Sequence, residues 1–228
     1  MLLSMKRTGS NHLTNAIQSI SNKKMVWFDA QPKHWDSFNL SFNRDIWNAK
    51  INDCFDELYD TYFGCKINCD EPAFFDIIDE LIEYPVQKIL LYRENVWEKV
   101  ISEELAIQTN HWIAPIGRHR IYKEGYEFDK LNVDVVKEKI KDIRNKVQYL
   151  LDRKEKFIVI KYEDLFSRNT YTNTHKDNFK NLLEKIDVSY DNKIFEDVVD
   201  NLMKPYACYK TDNTYNYIKN ISELKKLR

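Results

Sequence analysis

Residues 2–13 read LLSMKRTGSNHL, and this stretch decides the fold. A short apolar run breaks directly into polar residues, after which apolar residues recur at helical spacing as far as Ile20. Gly9 permits a tight turn between the two, because glycine tolerates backbone angles that other residues avoid. Ser10 or Asn11 is predicted to cap the helix that follows. The stretch therefore predicts a buried strand, a polar loop and a helix.

The same alternation continues along the chain. Further strands are predicted from apolar runs at 25–28, 64–67, 88–92 and 157–160, and helices at 73–81, 95–107, 133–151, 179–186 and 194–203. Continuous apolar runs are typical of strands that are buried on both faces, as in a parallel sheet. Strands alternating with helices predict an α/β fold of three layers, with a central, mostly parallel sheet flanked by helices. Residues 108–131 are predicted to be an insertion or a lid-like loop, and residues 1–228 to form a single domain.

Composition limits the classes of function. Hydrophobic residues make up 43% of the 228 residues, which is enough for a packed core. The 35 basic and 36 acidic side chains leave a net charge of -1, so the chain as a whole attracts neither nucleic acid nor anionic lipid. The four cysteines form no CxxC pair, which argues against a zinc site. With no long apolar run for a signal peptide or a membrane span, a cytoplasmic protein without a transmembrane segment is expected.

The first candidate site is the loop that contains Lys6, Arg7 and Gly9. The free N–H groups and the dipole at the start of a helix favour an anion, and the two cations add charge at the same place. Phosphate binding is one interpretation, and an ordinary strand–turn–helix is the other. The GxxxxGK[ST] spacing of the nucleotide-binding P-loop is absent.

A second candidate site follows the predicted strand at 88–92. Arg93 comes where that strand ends, at the edge of the sheet where open α/β folds bind ligands. Asn95 and Glu98 predict a capping box at the start of the next helix, and Ser102 lies two turns along it. An arginine with a hydroxyl suits a phosphate monoester. The alternative is that Arg93 pairs with a nearby glutamate while Ser102 is a core or solvated hydroxyl.

Taken together and in order, these segments resemble the sulfotransferase family, and most of all its bacterial-type carbohydrate and lipid-sugar members. The first loop is similar to the family's 5′-phosphosulfate loop, and Arg93 with Ser102 is similar to its 3′-phosphate motif. The similarity runs over most of the chain and includes segments 64–67, 106–112, 161–165 and 210–224.

The resemblance implies a donor, 3′-phosphoadenosine 5′-phosphosulfate (PAPS), and a hydroxyl acceptor on a carbohydrate, a glycolipid or a similar molecule. It implies that Arg7 neutralises the oxygen between sulfur and the 5′-phosphate as that bond breaks. Donor-binding roles are implied for Thr8, Gly9, Ser10 and Asn11 at the 5′-phosphate, Arg93 and Ser102 at the 3′-phosphate, Tyr162 and His12 at the adenine, and Lys210 at the 3′-phosphate. No metal is required if these residues stabilise the developing charge.

The general base is the residue least fixed by the resemblance. Carbohydrate-type members place an acidic residue at the end of the second strand, where this chain has Asp29. His34 is the second candidate for the base. Asp29 has another interpretation as an ordinary turn residue that ends the strand. Trp112 is predicted to contact the acceptor.

In one respect the chain departs from the family. Ser102 lies nine positions after Arg93, one more than the family's usual separation, and Glu94 stands where a basic residue is expected. We expect the Glu94 side chain to point away from the phosphate, because its charge would repel it.

Two other functions stay open on the sequence. One is a nucleotide or sugar kinase with a P-loop-like sheet, which should carry a lysine after its second glycine and an acidic magnesium ligand after another strand; the lysine is missing here. The other is a module that binds phosphoadenosine without catalysis. No nucleic-acid partner is expected, and the pattern predicts neither the acceptor nor the oligomeric state.

Overall fold

The computed structural model describes residues 1–28, 62–70, 75–109, 127–166, 171–204 and 213–228. Its five strands are β1 (Leu2–Ser4), β2 (Lys24–Phe28), β3 (Tyr62–Asn68), β4 (Ile89–Tyr92) and β5 (Ile158–Lys161). They form one sheet in the order β2-β3-β1-β4-β5, and every neighbouring pair runs parallel. The predicted α/β fold with a central parallel sheet is confirmed, and all five predicted strands are present.

Helices connect and flank these strands. The helices are α1 (Ser10–Ser21), α2 (Ile78–Glu83), α3 (Val96–Thr109), α4 (Val133–Leu151), α5 (Tyr162–Leu165), α6 (Asn173–Lys185), α7 (Asn192–Val198), α8 (Asn213–Asn216) and α9 (Ile221–Leu224). A π-helical turn, Val199–Met203, continues α7, and 3₁₀ turns lie at Lys154–Lys156 and Lys225–Leu227. Within the described residues, none of these helices combines the length and the apolar character that crossing a membrane requires.

The sheet is covered on both faces, which explains the continuous apolar runs. Leu2 belongs to a core cluster that includes Leu13 and Ile17 of α1. Leu3, whose side chain points to the opposite face, belongs to a second cluster with Trp97 and Val100 of α3. Strands buried on both faces have no polar face, so their sequence does not alternate.

Two neighbouring strands send their chains to opposite faces. Strands β1 and β4 are hydrogen-bonded neighbours, yet α1, which follows β1, packs in one core cluster and α3, which follows β4, packs in the other. In open parallel sheets, such a reversal leaves a crevice at the carboxyl ends of the two strands, and ligands bind there. Both candidate phosphate motifs of the sequence lie at this crevice.

Both described ends of the predicted insertion at 108–131 belong to neighbouring structure. Helix α3 continues to Thr109, and residues 127–131 pack against the C-terminal segment. The N–H of Phe128 donates to the carbonyl of Tyr217 at 2.9 Å, and the N–H of Lys219 donates to the carbonyl of Phe128 at 3.2 Å. Phe128 and Leu131 are buried, and residues 110–126, which make up most of the predicted insertion, lie outside the described part of the chain.

Candidate anion-binding site

The loop between β1 and α1 has an unusual backbone. Arg7 (φ 63°) and Gly9 (φ 74°) are both left-handed, while Thr8 between them is not. Alternation of this kind turns successive N–H groups toward one concave surface, which is a common way to bind anions. The Thr8 hydroxyl donates to the carbonyl of Met5 at 2.6 Å and so closes the loop internally.

Helix α1 starts without a side-chain cap. Gly9 occupies the N-cap position, and Ser10 is already the first helical residue. The prediction that Ser10 or Asn11 caps the helix is therefore wrong; the N-cap is left-handed here, a conformation that glycine adopts without strain. Gly9 has no side chain that could accept an N–H group of this first turn, and the turn contains no acidic residue. A helix that starts in this way favours an anion at its first N–H groups.

A buried lysine adds a full charge beside this helix start. Lys66 lies on β3, where it pairs with Leu2 and is only 2% exposed. Its ammonium donates to Asn11 Oδ1 at 2.6 Å. A cation at the positive end of a helix dipole is unfavourable by itself, and an anion bound between the two reverses that balance. Lys66 was not among the residues that the sequence analysis singled out.

The Arg7 side chain is held by the second helix of the crevice. Its Nε donates to Ser102 Oγ on α3 at 3.0 Å. Ser102 is 6% exposed, so the bond joins the loop to the buried side of α3. The structure thus brings together Arg7 and Ser102, which the resemblance assigns to opposite ends of the donor.

Another tie holds the backbone of the loop. The Lys6 N–H donates to both carboxylate oxygens of Asp70, at 3.0 and 3.1 Å, and Lys99 Nζ donates to Asp70 Oδ2 at 2.7 Å. Lys99 also donates to Glu103 at 2.7 Å. Burial lowers the pKa of Lys99, but the charges of Asp70 and Glu103 outweigh burial and raise that pKa above its ordinary value. The Lys99 amine therefore stays charged.

Arg93 sits at the end of β4, as predicted, but its partners are carboxylates. Its Nη2 is hydrogen-bonded to Glu98, and both side chains are buried. Its Nε lies 3.9 Å from Glu163 Oε1, and its guanidinium lies 4.6 Å from the centre of the Tyr162 ring. Among the described residues, Nε and Nη1 have no hydrogen-bond partner. Arg93 and Ser102 thus contact different groups, and the contacts described here do not join them into one clamp.

The start of α3 is capped from two sides. Asn95 Oδ1 accepts the N–H of Glu98 at 3.2 Å, which confirms the forward half of the predicted capping box. The Glu98 carboxylate accepts a hydrogen bond from the side-chain amide of Asn95. The backbone N–H of Asn95, which a full capping box would bond to Glu98, donates to Glu163 at 3.2 Å. Glu163 also accepts the N–H of Glu94 at 3.1 Å. A carboxylate of the chain itself therefore occupies this second helix start.

The remaining predicted residues divide into three groups: buried, exposed, and outside the described part of the chain. Tyr162 is buried, where it packs on Arg93 and Phe166, and His12 is buried in the first turn of α1. Glu94 is 64% exposed, and its carboxylate accepts from Lys161 Nζ at 2.8 Å. Four residues lie outside the described part of the chain, namely Asp29, His34, Trp112 and Lys210.

No protein-family model matches the chain, and no curated protein matches its sequence. Within the described ranges, no group of three or more histidine, cysteine, aspartate or glutamate side chains is arranged to hold a metal ion.

Three residues of the site were missed by the sequence analysis: Lys66, Asp70 and Lys99. A signal existed for each of them. Lys66 interrupts the short apolar run of β3, and a charge inside a buried strand needs a partner. Asp70 follows the end of the same strand, at the edge of the sheet that carries the crevice. Lys99 lies three residues before Ser102, on the same face of α3.

Proposed function

We propose that this protein is a sulfotransferase that uses PAPS as donor and a hydroxyl of a carbohydrate, a glycolipid or a similar molecule as acceptor. The observation that carries the proposal is the cationic, uncapped start of α1. There the buried Lys66 ammonium contacts Asn11 in the first turn, and Arg7 lies in the loop that leads directly into this turn. That place suits the 5′-phosphosulfate group of the donor.

In this proposal the chain supplies charge and alignment. The N–H groups of Gly9, Ser10 and Asn11 hold the 5′-phosphate, and the Lys66 ammonium on β3 stabilises its negative charge. Arg7 stabilises the oxygen that carries growing negative charge as its bond to sulfur breaks. The acceptor hydroxyl attacks the sulfur in line, its proton passes to a base, and adenosine 3′,5′-bisphosphate leaves. Asp29 is our first choice for that base, with His34 as the alternative.

For the 3′-phosphate we assign Arg93. Two of its nitrogens have no hydrogen-bond partner among the described residues, although the side chain is 2% exposed. A buried donor without a partner is costly, and a bound phosphate removes that cost. Glu163 is 35% exposed at the same helix start, so it is the carboxylate that a phosphate arriving there displaces. Ser102 then orients Arg7.

Nucleotide binding is tested first. The full chain is titrated with adenosine 3′,5′-bisphosphate and followed by thermal unfolding, in parallel with Lys66→Met and with the control Lys139→Met. Lys139 pairs with Glu104 between α3 and α4. We expect stabilisation of the wild type and of the control, and little or none for Lys66→Met. If the nucleotide does not change the unfolding temperature of the wild-type protein, the proposal is refuted.

Transfer is tested second. Incubation with labelled PAPS and a panel of oligosaccharides, glycolipids and small alcohols should add a sulfo group that mass spectrometry detects. The same protein with ATP and Mg²⁺ tests for a kinase. Binding without transfer to any acceptor supports the non-catalytic module.

A further inference from the structure

We infer that Asp70, charge-paired with Lys99, is a positioning residue that fixes the backbone of the loop carrying Arg7. The loop fixation stands on the described contacts alone. Its effect on turnover rests on the proposed function. The Asp70 carboxylate bonds the backbone N–H of Lys6 and the side chain of Lys99, so it acts on Arg7 through the backbone of Lys6.

The contacts of Asp70 join three parts of the chain. Its carboxylate accepts the Lys6 N–H in the loop and the Lys99 ammonium on α3, and Asp70 itself follows the end of β3. Its backbone carbonyl accepts from Lys146 Nζ on α4 at 3.2 Å. The side chains of Asp70 and Lys99 are 3% and 2% exposed. A buried, charge-assisted contact of this kind is stronger than a neutral hydrogen bond and is not exchanged for water.

The residue that needs this support follows immediately. Arg7 holds a left-handed backbone, a conformation that persists in a non-glycine residue only where the surroundings over-determine it. Asp70 fixes the N–H of the preceding residue, and Ser102 fixes the Arg7 side chain. Lys99 and Ser102 are three residues apart on one face of α3, so the helix holds the loop at two points.

The direction of the Arg7 side chain depends on these ties. With the Lys6 N–H released, Arg7 can relax to a right-handed or extended backbone, and its guanidinium then leaves its position beside Ser102. The loss concerns alignment and not charge, because Arg7 and Lys66 are both still present. It should therefore lower turnover more than it lowers nucleotide affinity.

The test separates positioning from stability with a paired substitution. Asp70→Leu alone leaves the Lys99 charge buried without its main partner, and the variant is expected to lose much of its stability. Asp70→Leu with Lys99→Met replaces the pair by apolar groups of similar size, which restores the fold but gives the Lys6 N–H no acceptor. The matched control is Glu104→Gln with Lys139→Met, which removes an ion pair between α3 and α4.

Amide hydrogen exchange over residues 1–12 is measured for all variants, together with turnover and the affinity for adenosine 3′,5′-bisphosphate. For the double variant at 70 and 99 we expect exchange of the Lys6 amide at least about 10-fold faster, with global stability near that of the control. We also expect turnover at least about 10-fold lower, with nucleotide affinity changed less.

Wild-type exchange at Lys6 in the double variant overturns the inference, and so does wild-type turnover. If the wild-type protein transfers no sulfuryl group, the proposed function fails instead. The exchange measurement still decides whether Asp70 fixes the loop, because it needs no ligand.

Discussion

Replacing Ser102 by alanine distinguishes two roles for this hydroxyl. In the structure it accepts from Arg7 Nε at 3.0 Å, whereas the family resemblance assigns it to the 3′-phosphate. A hydrogen bond to a charged group contributes about 1.5–3 kcal/mol. Arg7 is partly exposed, so water replaces part of the lost contact and the lower value applies. We therefore expect Ser102→Ala to weaken 5′-phosphate binding about tenfold.

The assay is calorimetric titration with two ligands, adenosine 5′-monophosphate and adenosine 3′,5′-bisphosphate. If Ser102 acts through Arg7, both ligands lose the same factor, and Ser102→Ala has no further effect once Arg7 is alanine. Thr109→Ala is the control, because that hydroxyl bonds the carbonyl of Leu105 within α3. A loss confined to the bisphosphate refutes this reasoning and restores Ser102 to the 3′-phosphate.

Three further variants test other contacts. Glu163→Gln removes the carboxylate charge at the start of α3. We expect the affinity for the bisphosphate to rise several-fold and the affinity for the monophosphate to stay unchanged. A lower bisphosphate affinity in calorimetry contradicts the proposal that a phosphate displaces Glu163. Trp97→Phe removes the indole donor to the carbonyl of Leu224 at 2.7 Å, which should cost about 1–3 kcal/mol in urea unfolding; a cost near zero would mean that the contact is not needed. Burial lowers the pKa of His175 below 6.5, more than the charge of Asp164 raises it. The unfolded chain then binds the proton more tightly, so stability should fall as pH drops below 6.5, and His175→Gln should reduce this slope in denaturation at several pH values.

Strands β1 and β4 were predictable because they are buried on both faces. Runs such as Ile89–Tyr92 show this burial directly in their composition, and a parallel sheet follows from alternation with helices. Helix starts were less predictable. Serine and asparagine are frequent N-caps, yet the left-handed turn at Gly9 moves the cap one residue earlier.

The pairings of the site were not predictable from patterns. Lys66 meets Asn11 across 55 residues and Asp70 meets Lys99 across 29, and the first contact depends on β3 lying beside β1. Apolar periodicity predicts strands but not their order. The contact between Ser102 and Arg7 has a partial sequence signal, since one additional residue rotates a helical side chain by about 100°. Relative to the spacing in the sulfotransferases that the sequence resembles, one extra residue therefore turns Ser102 toward a different neighbour.

The central position of β1 has a consequence for the order in which the site is assembled. Both neighbours of β1 come much later in the chain, one at Tyr62–Asn68 and the other at Ile89–Tyr92. During synthesis at about 5–20 residues per second, this apolar strand waits several seconds without either partner. The contacts that hold the Arg7 loop also include Ser102 of α3, so they are complete only after translation has passed Ser102. Until Tyr62–Asn68 has been synthesised, the nascent chain carries β1 without a hydrogen-bonded neighbour.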